Sequence, residues 1–363
     1  MYLMHKNDIV ADVTFLMGTF IQIHRIYDRR LMPIGTYHTN LSVATSLLNS
    51  WYTMQIIPKN RQNINCIVNS INTSISEAIE KSYMVSLTNC YWLKKNDSQI
   101  SWNDINYHEK GFSDELFPLL YNGVAKISDY KLPDLTTDGM LEKAWLNLKG
   151  VPTLLKTGKF GPNAKYKHLL SANEVIAYKV AKLMEIDHAE YYPIMLNNGE
   201  LISATPCFIK NDSEEFVSGL QIMKEDRVSR YTFYKDICDK GFSTEVNNMI
   251  LLDHILHNTD RHERNFGIIR DSDTLDYIRF APIYDTGSCL GWNNNGNVSN
   301  LSKPFSENRN EQLSLIGKIP ELPSSDMILS IIKETYELYN ISEECYDIAQ
   351  NELQESFKIL QNI

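Results

Sequence analysis

Two polar clusters constrain this chain more than any other feature. The first is His257-Asn258-Thr259-Asp260-Arg261-His262-Glu263-Arg264-Asn265-Phe266-Gly267, and the second is Ile283-Tyr284-Asp285-Thr286-Gly287. Between them lies a β-type stretch with room for one hairpin. Asp260 and Asn265 precede that hairpin, and Asp285 follows it. Asn, Thr and Asp all favour turns, so the first cluster alone also reads as a polar connection between a helix and a hairpin. A second Asp placed before x-Gly after the hairpin is not something turn chemistry requires.

The residue types suit phosphoryl transfer. In that reaction the transferred group gains little new bonding, so a site mainly positions groups and neutralises charge. A loop Asp that takes the hydroxyl proton, an Asn beyond it and a later Asp-x-Gly that bind magnesium form the recurring set. Magnesium takes oxygen ligands and only one or two carboxylates. Asn265 offers a neutral oxygen and Asp285 a charged one. Asp260 is thus the candidate base, Asn265 and Asp285 the candidate metal ligands, and His262 a candidate to contact the γ-phosphate or hold Asp260. The His-Arg pair that precedes the Asp in ordinary protein kinases is missing, and Arg261 and His262 follow it instead.

Composition limits the alternatives. The 363 residues allow two or three structural units with sizeable cores. A formal net charge of -10 argues against nucleic acid as a direct partner, because backbone phosphates call for a cationic surface. No apolar run reaches the roughly 20 residues of a membrane span. The N-terminus shows no charged-then-apolar leader, so a cytoplasmic location is expected. The six cysteines lack Cys-x-x-Cys spacing and read as reduced core residues, not a zinc site.

Residues 1–125 read as an α+β region of their own. Ile9, Ala11, Val13 and Phe15 alternate with polar residues and lead through Met17-Gly18-Thr19 to Ile21 and Ile23, a hairpin pattern. Helical patterns follow near 40–54 and 74–83. The aromatic-rich stretch from Tyr91-Trp92 to Phe112 suggests packing or the docking of a protein partner. A linker of mixed polarity is expected near 123–138.

Strands are expected at 144–149 and 151–156. Lys156 ends an apolar run, an unusual place for a lysine unless it serves a site or emerges into solvent. A helix then starts near Ser171, whose spacing to Glu174 is that of a capping box. Glu174 has a second reading, as the carboxylate that pairs with Lys156 and aims it at phosphates. Between them, residues 157–168 contain Gly158, Gly161 and three lysines. This stretch suits a phosphate cradle, a lid or a solvated loop. The apolar strand ending at Cys207-Phe208-Ile209 suits the connection between two lobes, where backbone groups hydrogen-bond a nucleobase. Helical periodicity covers 230–257 and 324–361.

On these residues, the segment 134–310 resembles the HipA-like and CtkA-like atypical serine/threonine kinases. The resemblance is carried by Thr137-Asp138-Gly139 with Lys143-Ala144-Trp145, Leu155-Lys156-Thr157-Gly158, Asn173-Glu174-Val175, the Asn258-to-Gly267 cluster, Pro282-to-Ser288 and Ser302-Lys303-Pro304-Phe305. It implies an α+β, bilobal protein-kinase-like fold, with a β-rich N-lobe at 126–210 and a mostly helical C-lobe at 211–363. It implies ATP and magnesium as cofactors, Asp260 as base, and Lys156, Glu174, Gly158, Cys207 and Phe208 around the nucleotide. A protein Ser or Thr hydroxyl is the implied acceptor, the chain itself included. A pseudokinase that binds a partner, or a lipid or small-molecule kinase with the same loop, are the alternatives. Residues 1–125 do not look like the family's N-terminal subdomain, and 157–170 have no counterpart of its regulatory phosphate loop, so the toxin role is not implied.

Overall fold

The computed structural model describes residues 1–158, 168–291, 304–305 and 309–362. The N-terminal region is built on an antiparallel sheet of β1 (Tyr2–His5), β2 (Asp8–Leu16), β3 (Thr19–Ile26) and β4 (Tyr91–Lys94), in the order β3-β2-β1-β4. The expected hairpin is β2–β3, with Leu16 opposite Thr19. Its turn residues Met17 and Gly18 both have positive φ, 52° and 75°, the geometry that matches strand twist in two-residue turns. Helices α1 (Leu41–Thr53), α2 (Ile64–Ile71) and α3 (Ile75–Lys81) pack on this sheet, and α4 (Trp102–Ile105), α5 (Tyr107–Lys110) and α6 (Leu119–Asn122) follow β4. The side chain of Asn40 caps α1 by accepting from the Ser42 and Val43 N–H groups. The aromatic stretch is interior: Tyr91, Trp92 and Trp102 are all buried, which fits packing.

The segment read as a linker is partly packed. Leu132 and Leu135 join the N-terminal core, and Pro133–Thr136 form a buried 3-10 turn. Burial of two leucines there outweighs the turn-forming polarity around them.

A second antiparallel sheet has the order β5-β6-β8-β7, formed by β5 (Lys143–Leu148), β6 (Val151–Lys156), β7 (Tyr192–Met195) and β8 (Leu201–Pro206). Between β6 and β7 runs α7 (Leu169–Leu183), buried on nearly every side over its first turns. A helix apolar all round belongs inside, and its polar residues there must find partners. Asn173 does so by accepting from the Tyr336 hydroxyl at 2.9 Å and donating to the Cys289 carbonyl at 2.6 Å.

A third sheet, β11-β10-β9, joins β9 (Glu214–Ser218), β10 (Gly267–Asp271) and β11 (Tyr277–Phe280). Around it lie α8 (Gly219–Asp226), α9 (Arg230–Asp239), α10 (Ser243–Ile255), α11 (Arg309–Leu313), α12 (Ser325–Leu338) and α13 (Glu343–Leu360). Ser324 and Ser342 cap α12 and α13. The largest apolar core spans α7, α10, α12 and α13. Among the described residues no helix is long and apolar enough to cross a membrane.

Candidate active site

The end of β6, the first turns of α7, the α10–β10 loop and the segment after β11 converge on one cleft. Lys156 Nζ donates to Glu174 Oε1 at 2.8 Å, to Asp285 Oδ1 at 2.7 Å and to the Tyr191 hydroxyl at 3.2 Å. Glu174 Oε2 accepts the Thr286 N–H at 3.1 Å, which ties α7 to the Asp285 segment. Burial raises the Glu174 carboxyl, with Lys156 opposing. For Asp285, burial works in the same direction, but Lys156 and Lys143 overcome it and hold the carboxyl well below the usual range. Burial also opposes the Lys156 charge, yet Asp285 and Glu174 keep the ammonium well above the ordinary lysine value.

Glu174 is no cap. The helix begins at Leu169, before Ser171, and the Ser171 hydroxyl donates to the Lys156 carbonyl at 3.1 Å. Leu169 and Leu170 are buried, so core packing extends the helix past the local cap signal. Two glycines let the pieces approach. At Gly158 (φ 63°) a Cβ would lie 2.7 Å from the Ser171 nitrogen, and at Gly287 it would lie 2.9 Å from the Leu170 carbonyl and 3.1 Å from Glu174 Cγ. The x-Gly after Asp285 is thus explained by contact with α7.

The loop that carries Asp260 is held from beneath. Asp253, a lone acid in the apolar run of α10, accepts two bonds from Arg261, at 2.8 and 3.0 Å. Arg261 also donates to the carbonyls of Asn265 (2.6 Å) and Tyr284 (2.7 Å) and to the Thr286 hydroxyl (3.1 Å). One buried guanidinium therefore fixes both polar clusters relative to each other. Asn258 donates to Asp253 at 2.8 Å and accepts the Asp260 N–H at 3.2 Å. Asn265 Nδ2 donates to the Asp260 carbonyl at 3.1 Å, which leaves Oδ1 as its acceptor. With the ionised Asp285, this is an oxygen set that fits a hard divalent cation.

The Asp260 side is exposed to solvent. Desolvation by the surrounding loop raises its carboxyl, His262 opposes this, and Asp285 adds to it. His262 Nδ1 accepts the Arg264 N–H at 3.2 Å, so its ring also shapes the loop.

The cleft, about 230 Å³, is lined by Lys156, Asp285 and Asn265 at one end and by Cys207, Phe208 and Phe216 at the other. The Cys207 N–H is taken by the Pro152 carbonyl at 2.8 Å and the Phe208 carbonyl by Arg279 at 3.2 Å. Among the described residues that leaves the Cys207 carbonyl and the Phe208 N–H as the groups this connection offers to a ligand. Burial pushes the Cys207 thiol up to about 12.

Sequence reasoning missed several neighbours. Tyr191 stands in no motif. Asp253 had a usable signal, since an acid inside an apolar helix needs a cationic partner. Thr137-Asp138-Gly139, whose residue types alone assign it no role, lines the cleft, with its carbonyls held by Arg61 (3.0 Å to Gly139) and Lys143 (2.9 Å to Asp138). The Asp138 carboxylate pairs with Arg264 at 3.0 Å across the mouth. Lys143 lies opposite Lys156 in the β5–β6 pairing. The lysine-rich stretch 159–167 and the Ser302-Lys303 pair lie outside the described residues.

No family model matches the chain, and no curated protein matches it in sequence. Solved structures do. A chain of the Shewanella oneidensis MR-1 toxin–antitoxin complex of HipA, HipB and operator DNA aligns with a TM-score of 0.55 at 12% identity, over 99% of this chain and 96% of that one. The Helicobacter pylori proinflammatory kinase CtkA aligns with a TM-score of 0.44 at 20% identity, over 59% of this chain and 86% of that one. The HipA alignment takes in the N-terminal region, where the sequence alone gave no likeness. In fold, this chain is α+β and kinase-like.

Proposed function

We propose that the chain is an ATP- and magnesium-dependent phosphotransferase acting on Ser or Thr hydroxyls of a protein, itself included. The observation that carries this reading is Lys156 held between Glu174 (2.8 Å) and Asp285 (2.7 Å), with Asn265 beside them in the same cleft. Lys156 is placed to contact phosphate oxygens, and Glu174 keeps it aimed. Magnesium, when bound, neutralises charge on the phosphate oxygens, and Asp285 with Asn265 Oδ1 are the residues to hold it. Asp260 accepts the proton as the acceptor oxygen bonds to the γ-phosphorus and the bond to the bridging oxygen of the leaving ADP breaks. Its raised carboxyl leaves it a better proton acceptor than an ordinary Asp. The toxin role and the DNA of the HipA complex stay with HipA.

The test is transfer from γ-labelled ATP by the purified full chain, with phosphosite mapping. Asp260→Asn is expected to fold normally and to lose a factor of about 10² to 10⁴ in rate, as removal of a general base commonly does. Near wild-type turnover by folded Asp260→Asn would remove Asp260 from the mechanism. Nucleotide binding without any transfer would favour a pseudokinase, and labelling of lipid alone a lipid kinase.

A further inference from the structure

The cleft has a wall that no kinase motif accounts for. Met54, Gln55, Ser86, Leu87 and Thr88, all from the N-terminal region, line it together with Lys156 and Asp285. The stretch Val85–Cys90 runs from the 3-10 turn beneath β5 to β9, and its backbone is pinned almost residue by residue. The Val85 carbonyl accepts from the Thr136 hydroxyl at 2.9 Å, the Leu87 carbonyl bonds the His108 ring at 3.0 Å, and the Thr88 carbonyl accepts the Phe216 N–H at 2.8 Å. The Thr88 N–H donates to Ser86 Oγ at 3.1 Å, and the Cys90 N–H to Glu215 at 2.7 Å. Backbone tied this thoroughly to three different elements is a fixed wall, not a lid.

Its place in the cleft assigns its role. The charged groups sit at the Lys156–Asp285 end. From Tyr284, the neighbour of Asp285, three mutually packed rings lead away from the charges, Tyr284, Phe208 and Phe216, with centroids 5.5 to 5.8 Å apart. The wall meets this aromatic end, because Thr88 is bonded to Phe216 itself. A nucleotide has the same polarity: a charged phosphate chain, and a flat base with hydrogen-bonding edges. Gln55 Oε1 accepts from Asn89 at 3.1 Å, which turns its amide N–H₂ into the donor available to the cleft.

Building on the kinase reading, we propose that the N-terminal region is part of the nucleotide site: Gln55 and the Ser86–Thr88 wall contact the nucleoside half of the ligand, with Gln55 as its specificity-determining donor. The acceptor it meets is a ring nitrogen, a ring carbonyl or a ribose hydroxyl. The N-terminal region then does more than dock a partner, and the kinase core alone is an incomplete site.

Calorimetric titration of the full chain with magnesium and three probes tests this: ATP, adenosine, and tripolyphosphate, which has the charge but no nucleoside. Gln55→Ala, a half-buried position, is expected to weaken ATP and adenosine about fivefold, the worth of one hydrogen bond, and to leave tripolyphosphate unchanged. Thr88→Val, which keeps the shape and removes the hydroxyl, serves as the second variant and is expected to follow the same pattern more weakly. Equal weakening of tripolyphosphate, or unchanged affinity for all three probes in both variants, overturns the wall while leaving the kinase reading intact. Folded wild-type protein that binds none of the probes overturns both.

Discussion

Two buried clusters in this molecule pair carboxylates with nitrogen bases, and they are finished to different degrees. At the seam between the N-terminal sheet and β9–β10, Glu215 has every oxygen in use. Oε1 takes the His5 ring at 3.0 Å and the Cys90 N–H at 2.7 Å, and Oε2 takes Arg270 at 2.8 Å. Arg270 continues to the Tyr91 hydroxyl at 2.9 Å. Under the cleft the ratio is reversed, with one ammonium and two carboxylates. The Glu215 side chain is 1% exposed and that of Asp285 40%. Asp285 also holds a left-handed backbone, φ 56°, which a non-glycine residue adopts at some cost. A sealed and satisfied cluster holds two regions together. An open one with surplus negative charge and a strained residue is built to be completed by something else.

The contrast breaks most visibly at Lys156. Lys156→Ala and Glu174→Ala are each expected to lower phosphotransfer by about 10² or more, as loss of one positioned charge in a phosphoryl site does, and the double variant should be little worse than either. Losses that add across the four proteins would separate the two residues. The seam should respond in stability instead. Removing one partner of a buried ion pair commonly costs about 3–5 kcal/mol, so Glu215→Ala is expected to lower the denaturation midpoint sharply. The seam also has a pH signature. Burial alone would raise the Glu215 carboxyl, but His5 and Arg270 bring it down to about 2, from an ordinary 4.5. A depressed carboxyl contributes stability above its unfolded value and loses it as pH falls towards the folded one. Wild-type stability should therefore decline between about pH 4.5 and 2 more steeply than that of Glu215→Gln, and parallel acid arms would deny the seam that role.

What the sequence made legible follows the same division. The cleft residues could be picked out as candidates because the spacings that phosphoryl chemistry calls for are short and local: Asp260 to Asn265, Asp285 before Gly287, Lys156 at the end of an apolar strand. The hairpin joining the two polar clusters, β10–β11, was expected only as a β-type stretch with room for one hairpin. The seam left no trace, since His5, Cys90, Glu215 and Arg270 are scattered over the chain and only the fold brings them together. Glu174 shows the limit of local rules. Its capping-box spacing was correct as a pattern, yet burial of Leu169 and Leu170 moved the helix start upstream and freed the carboxylate for Lys156. The buried turn at Pro133–Thr136 read as a linker for the same reason: polarity is local, and burial is decided elsewhere.

A smaller effect sharpens the metal side of the comparison. Asp285→Asn keeps a residue that tolerates the left-handed backbone, so the fold should survive. It removes a charged ligand, and magnesium-dependent nucleotide binding should weaken more than in Asn265→Ala, which removes a neutral one. Titration with a non-hydrolysable ATP analogue reads both, and equal affinity of wild type and Asp285→Asn would take Asp285 out of the metal site.

The smallest effect is expected at Lys143, which belongs fully to neither cluster. It stands across from Lys156, and among the described residues its hydrogen bond goes to the Asp138 carbonyl at 2.9 Å and not to a carboxylate. Burial, with Arg61 and Lys156 close by, pushes its ammonium down to about 7, although Asp285 and Asp138 pull the other way. The unfolded chain keeps a proton on this lysine up to about 10.5, so between pH 7 and 10.5 it binds more protons than the folded chain. Stability owed to this group must then rise with pH across that window. Lys143→Met keeps the length and apolar stem and removes the charge. It should raise the melting temperature by a few degrees at pH 6, where the wild type buries a charged lysine, and by less at pH 9, where the lysine is already neutral. A gain independent of pH would mean that the methionine merely packs better. A loss at pH 6 would mean that the positive charge at Lys143 stabilises the cleft, and the carboxylate surplus under it would then be smaller than the Lys156 cluster alone suggests.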